Sequence, residues 1–406
     1  MTGFDEEAWS RLLEEARAGV RERERERELP HGLLRSALDL GLGRARVPRE
    51  EGGLGWSLRE TYSRLIDLAA NDPHLAHIFR GHIVLLEEED LFGDENARRR
   101  WRERAVNGDF IGNAQSERDG TTGASESTTA LARDAEGGIT VTGTKYYTTG
   151  SIYADWIDLS AKDGDDHVLI AVSTHQAGVS SVDDWDGFGQ ELTGSGTTIF
   201  DHAGVDPADI RVVDRASRPS QLRQALFQLV LLAVVAGIGE GALRETTAYV
   251  NQRKRLFGRP DAHEVREDPV VQQTLGHVSA AVFSARTLVV ALAERWDGIV
   301  AAQRAGTAVD DEFRAGQLEV FRIQGVVIEQ VLAALSEIFE VGGASQVTRS
   351  VGFDRFWRGA RTIASHNPLR QRQRLIGAAE LGVELGEKKA EADEAAAAVG
   401  EPAPVL

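Results

Sequence analysis

The run GITVTGTKYYTTGS, residues 138–151, decides the fold, because it places a strand signal within a largely helical chain. Threonine, valine and tyrosine are concentrated between glycines, a pattern typical of a strand that ends in turns. Similar short runs occur at 155–161, 168–173 and 197–200. The sequence therefore predicts an α+β protein with a middle β domain at residues 113–216.

Helical patterns precede this middle domain. A charged amphipathic segment runs from Phe4 to Leu29 and ends at Pro30, which cannot continue a helix. A later apolar stripe begins after Ser57, a residue type that caps helices well. Residues 1–112 are therefore predicted to form an all-helical N-terminal domain.

Long helical patterns also follow the middle domain. The segment 221–251 is apolar on nearly all sides over its first half, which is typical of a helix buried in a bundle or at a subunit interface. Two more long helices are predicted at 269–296 and 311–339. We therefore expect a C-terminal four-helix bundle at 217–390, followed by a flexible tail at 391–406.

Composition excludes several kinds of partner. The chain has 46 lysine and arginine residues against 64 aspartate and glutamate residues, a net charge of -18, which disfavours nucleic acid and anionic membranes. The first fifteen residues are acidic and amphipathic, unlike a signal peptide. The most apolar run, Leu229 to Ile238, is half the ~20 residues that a spanning helix needs. A cytoplasmic protein with no membrane partner is predicted.

Sulfur is almost absent from the chain, which has no cysteine and a single methionine, Met1. Disulfides, thiolate nucleophiles and cysteine-ligated metals are therefore excluded. Synthesis under sulfur scarcity would explain this composition, as would a site that handles a peroxide able to oxidise thiols and thioethers. Compositional drift in a GC-rich genome is the third explanation.

The stretch DRFWRGARTIASHNP, residues 354–368, contains the main chemical candidate, His366. Pro368 disfavours helical geometry in the residue before it, so the helix is predicted to end by about Asn367. A histidine at a helix C-terminus titrates near neutral pH and suits proton transfer. The alternative is a histidine that only satisfies the last carbonyl groups of the helix.

Three histidines, His74, His77 and His82, lie within nine residues of one predicted helix. The first two are three residues apart, but no cysteine or carboxylate completes a recognisable ligand set, so no metal site is predicted. His82 lies among apolar residues, where a histidine is more often a core residue than a catalyst. It is kept as a candidate because of the resemblance described next.

The order of helices, β domain and helical bundle, with Gly342-Gly343 before the last helices, resembles the acyl-CoA dehydrogenase superfamily. The resemblance covers approximately residues 8–390. It includes VPREEGGLGWS at 47–57, GTKYYTTGS at 143–151 and RLFG at 255–258. It implies the acyl-CoA dehydrogenase fold, with a middle domain of β-barrel or sandwich type.

The catalytic base of the dehydrogenases is missing. Those enzymes have a glutamate in a sequence resembling RDARxxxIYEGT, and the same register here reads RGARTIASHNP. His366 and Asn367 replace the tyrosine and the glutamate, and an asparagine cannot act as a base. The helix at 221–238, which contains the base in a few dehydrogenases, has no carboxylate. Asn367 is predicted to contact the cofactor instead.

Three other stretches resemble the branch of reduced-flavin-dependent monooxygenases. They are WRGARTIASHNP at 357–368, DDWDGFGQELTGSGTT at 183–198, and the spacing between Arg255 and Pro269. This branch includes dibenzothiophene monooxygenase and the sulfone and thioether oxygenases of sulfur acquisition.

The resemblance implies roles for residues on the flavin. Tyr147 is expected to place its ring against the isoalloxazine, and Thr149 to donate a hydrogen bond near its N5. Asn113 is expected at the mouth of the site, and Ser116 beside the cofactor backbone. For Thr149 the alternative is an ordinary strand threonine.

Further roles follow from the same resemblance. Arg255 and Phe257 are expected to hold the flavin phosphate of a neighbouring subunit, a task suited to a guanidinium. His82 and His366 correspond to two histidines that flank the reacting oxygen, and Trp185 corresponds to an aromatic residue of the substrate pocket.

The implied activity is that of a two-component monooxygenase. FMN, or alternatively FAD, would arrive reduced by a separate NAD(P)H-dependent flavin reductase and form a C4a-hydroperoxyflavin with O2. That species would oxygenate a small organosulfur compound, with Thr149 donating to the peroxide and His366, helped by His82, managing the proton. The chain has no GxGxxG fingerprint, consistent with nicotinamide use elsewhere. A homotetramer is implied by family alone.

Three alternatives remain open from the sequence. The same intermediate supports N-hydroxylation of an amine. An acyl-CoA dehydrogenase with a displaced base would bind FAD and reduce it with a thioester. A flavin-fold protein without enzymatic activity is the third.

Overall fold

The structure is a computed structural model that describes residues 4–118, 127–214, 216–253 and 264–383. Within these residues the chain forms ten α-helices and eight β-strands. The predictions for Arg255, Phe257 and the flexible tail lie outside the described residues.

Five helices form the N-terminal part, and their first turns follow simple capping chemistry. Ser57 and Glu60 form a reciprocal capping box. The Asp72 carboxylate accepts hydrogen bonds from two backbone N–H groups of the next helix, and Pro73 occupies its first turn, where the missing N–H costs nothing. The helices are α1 (Glu6–Glu26), α2 (His31–Asp39), α3 (Leu58–Ala69), α4 (Pro73–Phe92) and α5 (Glu95–Asn107).

One eight-stranded sheet forms the middle part. Its strands are β1 (Ile111–Ala114), β2 (Ala130–Arg133), β3 (Ile139–Lys145), β4 (Trp156–Asp163), β5 (Asp166–Ser173), β6 (Val179–Val182), β7 (Thr197–Gly204) and β8 (Ile210–Val212). They lie in the order β6-β7-β3-β2-β4-β5-β8, and β1 pairs in parallel with β4. The strands predicted from sequence correspond to β3, β4, β5 and β7.

The C-terminal part is again helical. It contains α6 (Arg218–Gln252), α7 (Pro269–Arg304), α8 (Asp310–Gly342), α9 (Asp354–Ala364) and α10 (Leu369–Glu380). The predicted order of helical domain, β domain and helical bundle is therefore confirmed. The helix that contains the RGART sequence ends at Ala364, just before His366, as the proline rule predicts.

Helices α6 and α7 are both long and apolar enough to cross a membrane by length and composition alone. In α6, 89% of the most apolar window is buried within the fold, so this helix is accounted for as the core of the bundle. In α7 only 28% of the corresponding window is buried. The exposed apolar face of the bundle is therefore on α7.

A buried ionic network joins the three parts of the chain. Asp158 on β4 is fully buried and pairs with Arg223 on α6 and with Arg211 on β8. Arg223 also pairs with Glu88 on α4, and Arg211 with Glu89 at 3.2 Å. Burying a charge is costly, and pairing of this kind offsets much of that cost. The network joins α4 and α6 to the sheet, and residues of α4 and of the middle domain also line the cavity described below.

Close packing of α6 against α3 gives a testable prediction. A Cβ added at Gly237 would lie 2.5 Å from the Cβ of Ala69, whereas one added at Gly298 on α7 would meet nothing within 4 Å. We expect Gly237→Ala to lower the free energy of unfolding by about 1–3 kcal/mol through overpacking. The matched change Gly298→Ala should raise it by about 0.5–1 kcal/mol through helix propensity. Chemical denaturation measures both, and equal effects would contradict this packing.

Candidate active site

A cavity of about 460 Å³ lies where the end of α9 faces α4 and the middle domain. Its volume is within the range that small-molecule and cofactor sites occupy. Its lining is mainly apolar and aromatic, with neutral hydroxyl, amide and imidazole groups and one carboxylate. The lining residues are His77, Ser116, Glu117, Tyr147, Thr149, Trp185, Gly187, Phe188, Gln190, Ser195, Thr362, Ile363, Ser365 and His366.

His77 reaches this cavity from α4. Its Nδ1 lies 2.9 Å from Oε1 of Gln190, so Nδ1 donates and the ring is the Nδ1–H tautomer. Nε2 is buried and has no hydrogen-bond partner among the described residues. Burial, helped by the charge of Arg80, lowers the pKa of His77 to about 3. His77 is therefore neutral and its Nε2 lone pair is unused.

Gln190 is held in a strained conformation to make this contact. Its φ is 57°, a left-handed value that is rare for residues other than glycine, and the side chain is buried. The amide Nε2 has no partner among the described residues. Strain and unsatisfied polar groups cluster at functional sites. Gln190 thus brings a free amide donor to the cavity, beside the free acceptor of His77.

His366 lies just beyond the end of α9 and is exposed to the cavity. Its Nε2 is 3.0 Å from Nη1 of Arg80, and because a guanidinium only donates, Nε2 must accept. The removal of the ring from bulk solvent inside the cavity and the positive charge of Arg80 both lower the pKa of His366 well below its ordinary value. The ring is therefore neutral, with its proton on Nδ1.

The hydroxyl of Thr149 belongs to a chain whose direction is fixed. Thr193 donates to the carbonyl oxygen of Gln190 at 2.8 Å, so its hydroxyl can only accept from Ser195, at 2.7 Å. Ser195 in turn accepts from Thr149, at 3.0 Å. In this arrangement the proton of Thr149 is used within the protein, and Thr149 can offer the cavity only a lone pair.

Aromatic side chains form the apolar wall. Tyr147 has a left-handed φ of 62° and is 46% exposed, and its ring meets Trp185 edge to face at 5.8 Å. Trp185 is anchored by its indole N–H, which donates to the carbonyl of Gly189 at 3.0 Å. Phe188 stacks on Trp357 nearby. These rings suit a flat, uncharged ligand.

Glu117 is the carboxylate of the lining. Its oxygens accept from the buried ammonium of Lys145 at 2.9 Å and from hydroxyl and backbone groups of Ser127, Thr128 and Thr129. Although burial opposes this, the hydrogen bonds hold the pKa of Glu117 far below its usual range. Glu117 is therefore a poor base, which argues against abstraction of a substrate proton here.

The structure places other predicted residues away from the cavity lining. His82 is buried, and both ring nitrogens are used, by the carbonyl of Gly43 at 2.6 Å and the N–H of Ile111 at 3.3 Å. Burial lowers the pKa of His82 to about 4. On α4 the cavity histidine is His77 and not His82, whose contacts are those of a core residue.

Asn113 and Asn367, which the sequence predicts at the cofactor, lie behind the residues that line the cavity. Asn113 is buried next to Thr149, its backbone N–H donating to the Thr149 carbonyl, and its Oδ1 has no partner among the described residues. The amide of Asn367 donates to Gln228 on α6 at 2.6 Å, which fixes the chain after His366. Tyr147, Thr149, Ser116, Trp185 and His366 all line the cavity, as the sequence predicted for a shared site.

Sequence reasoning missed His77, Gln190 and Ser195. For Gln190 and Ser195 a signal exists, since both belong to the loop 183–198, which resembles the monooxygenase branch. The sequence has no such signal for His77, because its helix is buried on almost every side.

Comparison with known proteins identifies the family. Residues 4–109 match the model of the acyl-CoA dehydrogenase N-terminal domain, and residues 229–371 match that of its C-terminal domain. The chain is 28% identical to a probable FMNH2-dependent monooxygenase, SfnC, of Pseudomonas putida over 84% of this chain and 85% of that one. It is 29% identical to dibenzothiophene monooxygenase of Rhodococcus qingshengii over 81% of each chain.

A solved structure gives the same result. FMN-bound TdsC from Paenibacillus sp. A11-2 has a TM-score of 0.85 and 27% identity, covering 94% of this chain and 98% of that one. The chain belongs to the acyl-CoA dehydrogenase family and, within it, to the branch of flavin-dependent monooxygenases.

The residues present fit a flavin. A polar heterocycle needs donors and acceptors along its edge and an apolar surface against its face. Among the described residues, the lining has free atoms of both kinds, namely the acceptor Nε2 of His77 and the donor Nε2 of Gln190, and the free Oδ1 of Asn113 lies behind it. The aromatic wall supplies the face.

Proposed function

We propose that this protein uses reduced FMN and O2 to oxygenate a small, uncharged organosulfur compound. The observation that supports this most directly is the pair of neutral histidines, His77 and His366, on one cavity with no carboxylate free to act as a base. The scarcity of sulfur in the chain itself favours a role in sulfur acquisition. Among the described residues, the lining contains no lysine or arginine that would pair with an anionic substrate.

When bound, reduced FMN supplies the activation of O2. The protein then has three tasks. The rings of Tyr147 and Trp185 exclude water and hold an apolar substrate. The Nε2 of His77 accepts a hydrogen bond in the cavity, and the Nδ1–H of the neutral His366 donates one. FMN as the flavin, and its delivery by a separate NAD(P)H-dependent reductase, are part of this proposal.

The proposed proton handling predicts a clear split between binding and turnover. We expect His366→Ala and His77→Ala each to lower product formation about 100-fold or more, because removing one hydrogen-bonding group positioned at the reacting atoms costs about that much. Binding of reduced FMN should change less than fivefold. Turnover is measured with dibenzothiophene, a thioether and an amine as probes and an added flavin reductase.

Two histidine controls accompany these variants. His175→Ala changes an exposed residue on the middle domain and should leave turnover unaltered. His82→Leu removes two buried hydrogen bonds and should lower the melting temperature while the folded fraction still turns over. Unchanged product formation in both His366→Ala and His77→Ala would remove these residues from the mechanism. Oxidation of the amine probe alone would show that the substrate is an amine and not an organosulfur compound.

The hydroxyl chain of Thr149 gives a second prediction about flavin. N5 of reduced flavin bears a hydrogen and can donate, whereas N5 of oxidised flavin can only accept. If Thr149 faces N5, its lone pair therefore favours the reduced form. Ser195→Ala frees the proton of Thr149, so the preference for reduced over oxidised FMN should fall by about two- to tenfold, the worth of one hydrogen bond.

Anaerobic titrations with reduced and oxidised FMN measure this preference. Ser181→Ala is a suitable control, because Ser181 forms a similar hydroxyl pair with Thr198 on neighbouring strands. An unaltered preference in Ser195→Ala, or an equal fall in Ser181→Ala, would contradict the assigned direction of the chain.

Assembly into a homotetramer is also proposed, and α7 is the surface that supports it. Phe283 is 73% exposed in the chain, and Ala280, Thr287 and Ala291 continue the same face at helical spacing. An apolar stripe on a long helix of this kind marks an interaction surface.

The change Phe283→Glu places a charge at the centre of this face. We expect it to reduce the mass measured by light scattering from a tetramer to smaller species, because a buried unpaired charge is costly. Val212→Glu, at a position 75% exposed on the middle domain, serves as the control. A monomeric native protein, or a tetramer unaffected by Phe283→Glu, would contradict the assignment.

A further inference from the structure

Arg80 is a buried cation with no carboxylate partner among the described residues. It lies on α4 three residues after His77 and is 6% exposed. Its Nη1 donates to Nε2 of His366 at 3.0 Å, and its Nε lies 3.4 Å from the carbonyl oxygen of Phe227. The guanidinium also lies over the Phe227 ring, 4.4 Å from its centre. These neutral contacts are its only compensation in the described part of the chain.

The neighbouring arginine shows that this is unusual. Arg223 approaches the same Phe227 ring, at 5.0 Å, but it is paired with both Glu88 and Asp158. Its positive charge further disfavours a cation at Arg80. Burial of an unpaired charge costs several kcal/mol unless something else requires it. A side chain maintained at such a cost, and directed at a cavity residue, is a candidate for function.

The contact determines what His366 can do. Arginine has no acceptor, so Nε2 of His366 must remain unprotonated for the hydrogen bond to exist. Protonation of His366 would also bring two positive charges together. We propose that Arg80 is a positioning residue of the active site that holds His366 neutral, with its proton on Nδ1, so that His366 serves as a hydrogen-bond donor rather than as a base.

The other groups around His366 do not provide this effect. On α4, His77 is neutral, and on α6, Gln228 only holds the Asn367 amide while Arg223 is paired. In the middle domain, the charge of Glu117 is balanced by Lys145. On its own segment, Arg361 donates to Ser365. Arg80 is therefore the charge that contacts the ring.

Only the catalytic role of His366 rests on the proposed function. The protonation state of the ring is a property of the chain without flavin, so it is measured independently of turnover. Histidine labelled with ¹⁵N and ¹³C in the full-length protein reports tautomer and titration by NMR. The signal of His366 is identified by its loss in His366→Gln.

We expect the native His366 to show a protonated Nδ1 and no titration from pH 8 down to pH 5.5. Arg80→Met, which removes donor and charge at similar length, should raise the pKa of His366 toward its ordinary value, so that its titration begins at a higher pH than in the native protein. Arg80→Lys keeps the charge and should restore the native behaviour. If the enzyme turns over, the acid limb of its pH profile should move upward in Arg80→Met by a similar amount.

A structural role alone would give a different result. Arg244 on α6 is a matched control, since it is half-buried and donates to the carbonyl of Ala70 without contacting the cavity. Arg244→Met should change the melting temperature and leave His366 unaffected. Titration of His366 near pH 6.5 in the native protein would overturn the proposal even if Arg80→Met does not fold. An identical His366 signal in folded Arg80→Met would overturn it as well. If the protein does not oxygenate organosulfur compounds, both expected NMR results still hold, because they depend only on the contact between Arg80 and His366.

Discussion

The ionic network centred on Asp158 is the constraint on which the arrangement of the site depends. A carboxylate buried in β4 must be paired, and its partners come from β8 and α6, which are in turn paired with α4. Among the described residues, Asp158 and Glu88 each pair with both arginines, whereas Glu89 depends on Arg211 alone. The three parts of the chain are therefore held in fixed relative positions. As a result, α4 places His77 and Arg80 close to His366, the residue that follows the end of α9.

The fold is that of the acyl-CoA dehydrogenases, but the polar side chains around the cavity differ from those that a dehydrogenase needs. Asn367, which the resemblance aligns with the dehydrogenase base, uses its amide to fix the chain to α6. The carboxylate on the cavity, Glu117, is fully engaged by Lys145 and neighbouring hydroxyls. What remains available is a set of neutral groups suited to holding a proton at a chosen atom. Oxygen transfer to an uncharged sulfur needs such groups more than it needs a strong base.

Much of the fold was predictable because its signals are local. Strands such as β3 show threonine-rich runs between glycines, and helices such as α3 begin with a capping residue. Helix α5 and strand β1 were missed, since α5 has few buried residues and β1 has only four residues. The tyrosine, threonine, tryptophan and terminal histidine of the cavity were predicted because they lie in motifs that a family resemblance makes visible.

The histidine of α4 could not be chosen from sequence. This helix is buried on almost every side, so the apolar pattern does not reveal which face meets the cavity. His77 is distinguished by a hydrogen bond to Gln190, a residue 113 positions later whose strained backbone has no sequence signature of its own. The role of Arg80 likewise depends on a contact with a residue 286 positions away. Such polar networks are properties of the tertiary structure.

The most direct test of the central claim is isotopic labelling of the product. The protein is incubated with dibenzothiophene, reduced FMN regenerated by an added flavin reductase, and ¹⁸O2, and the organic product is analysed by mass spectrometry. The account predicts a sulfoxide or sulfone in which each added oxygen atom is ¹⁸O. An unlabelled product, or no product from organosulfur probes together with anaerobic reduction of the flavin by an acyl-CoA thioester, would contradict it.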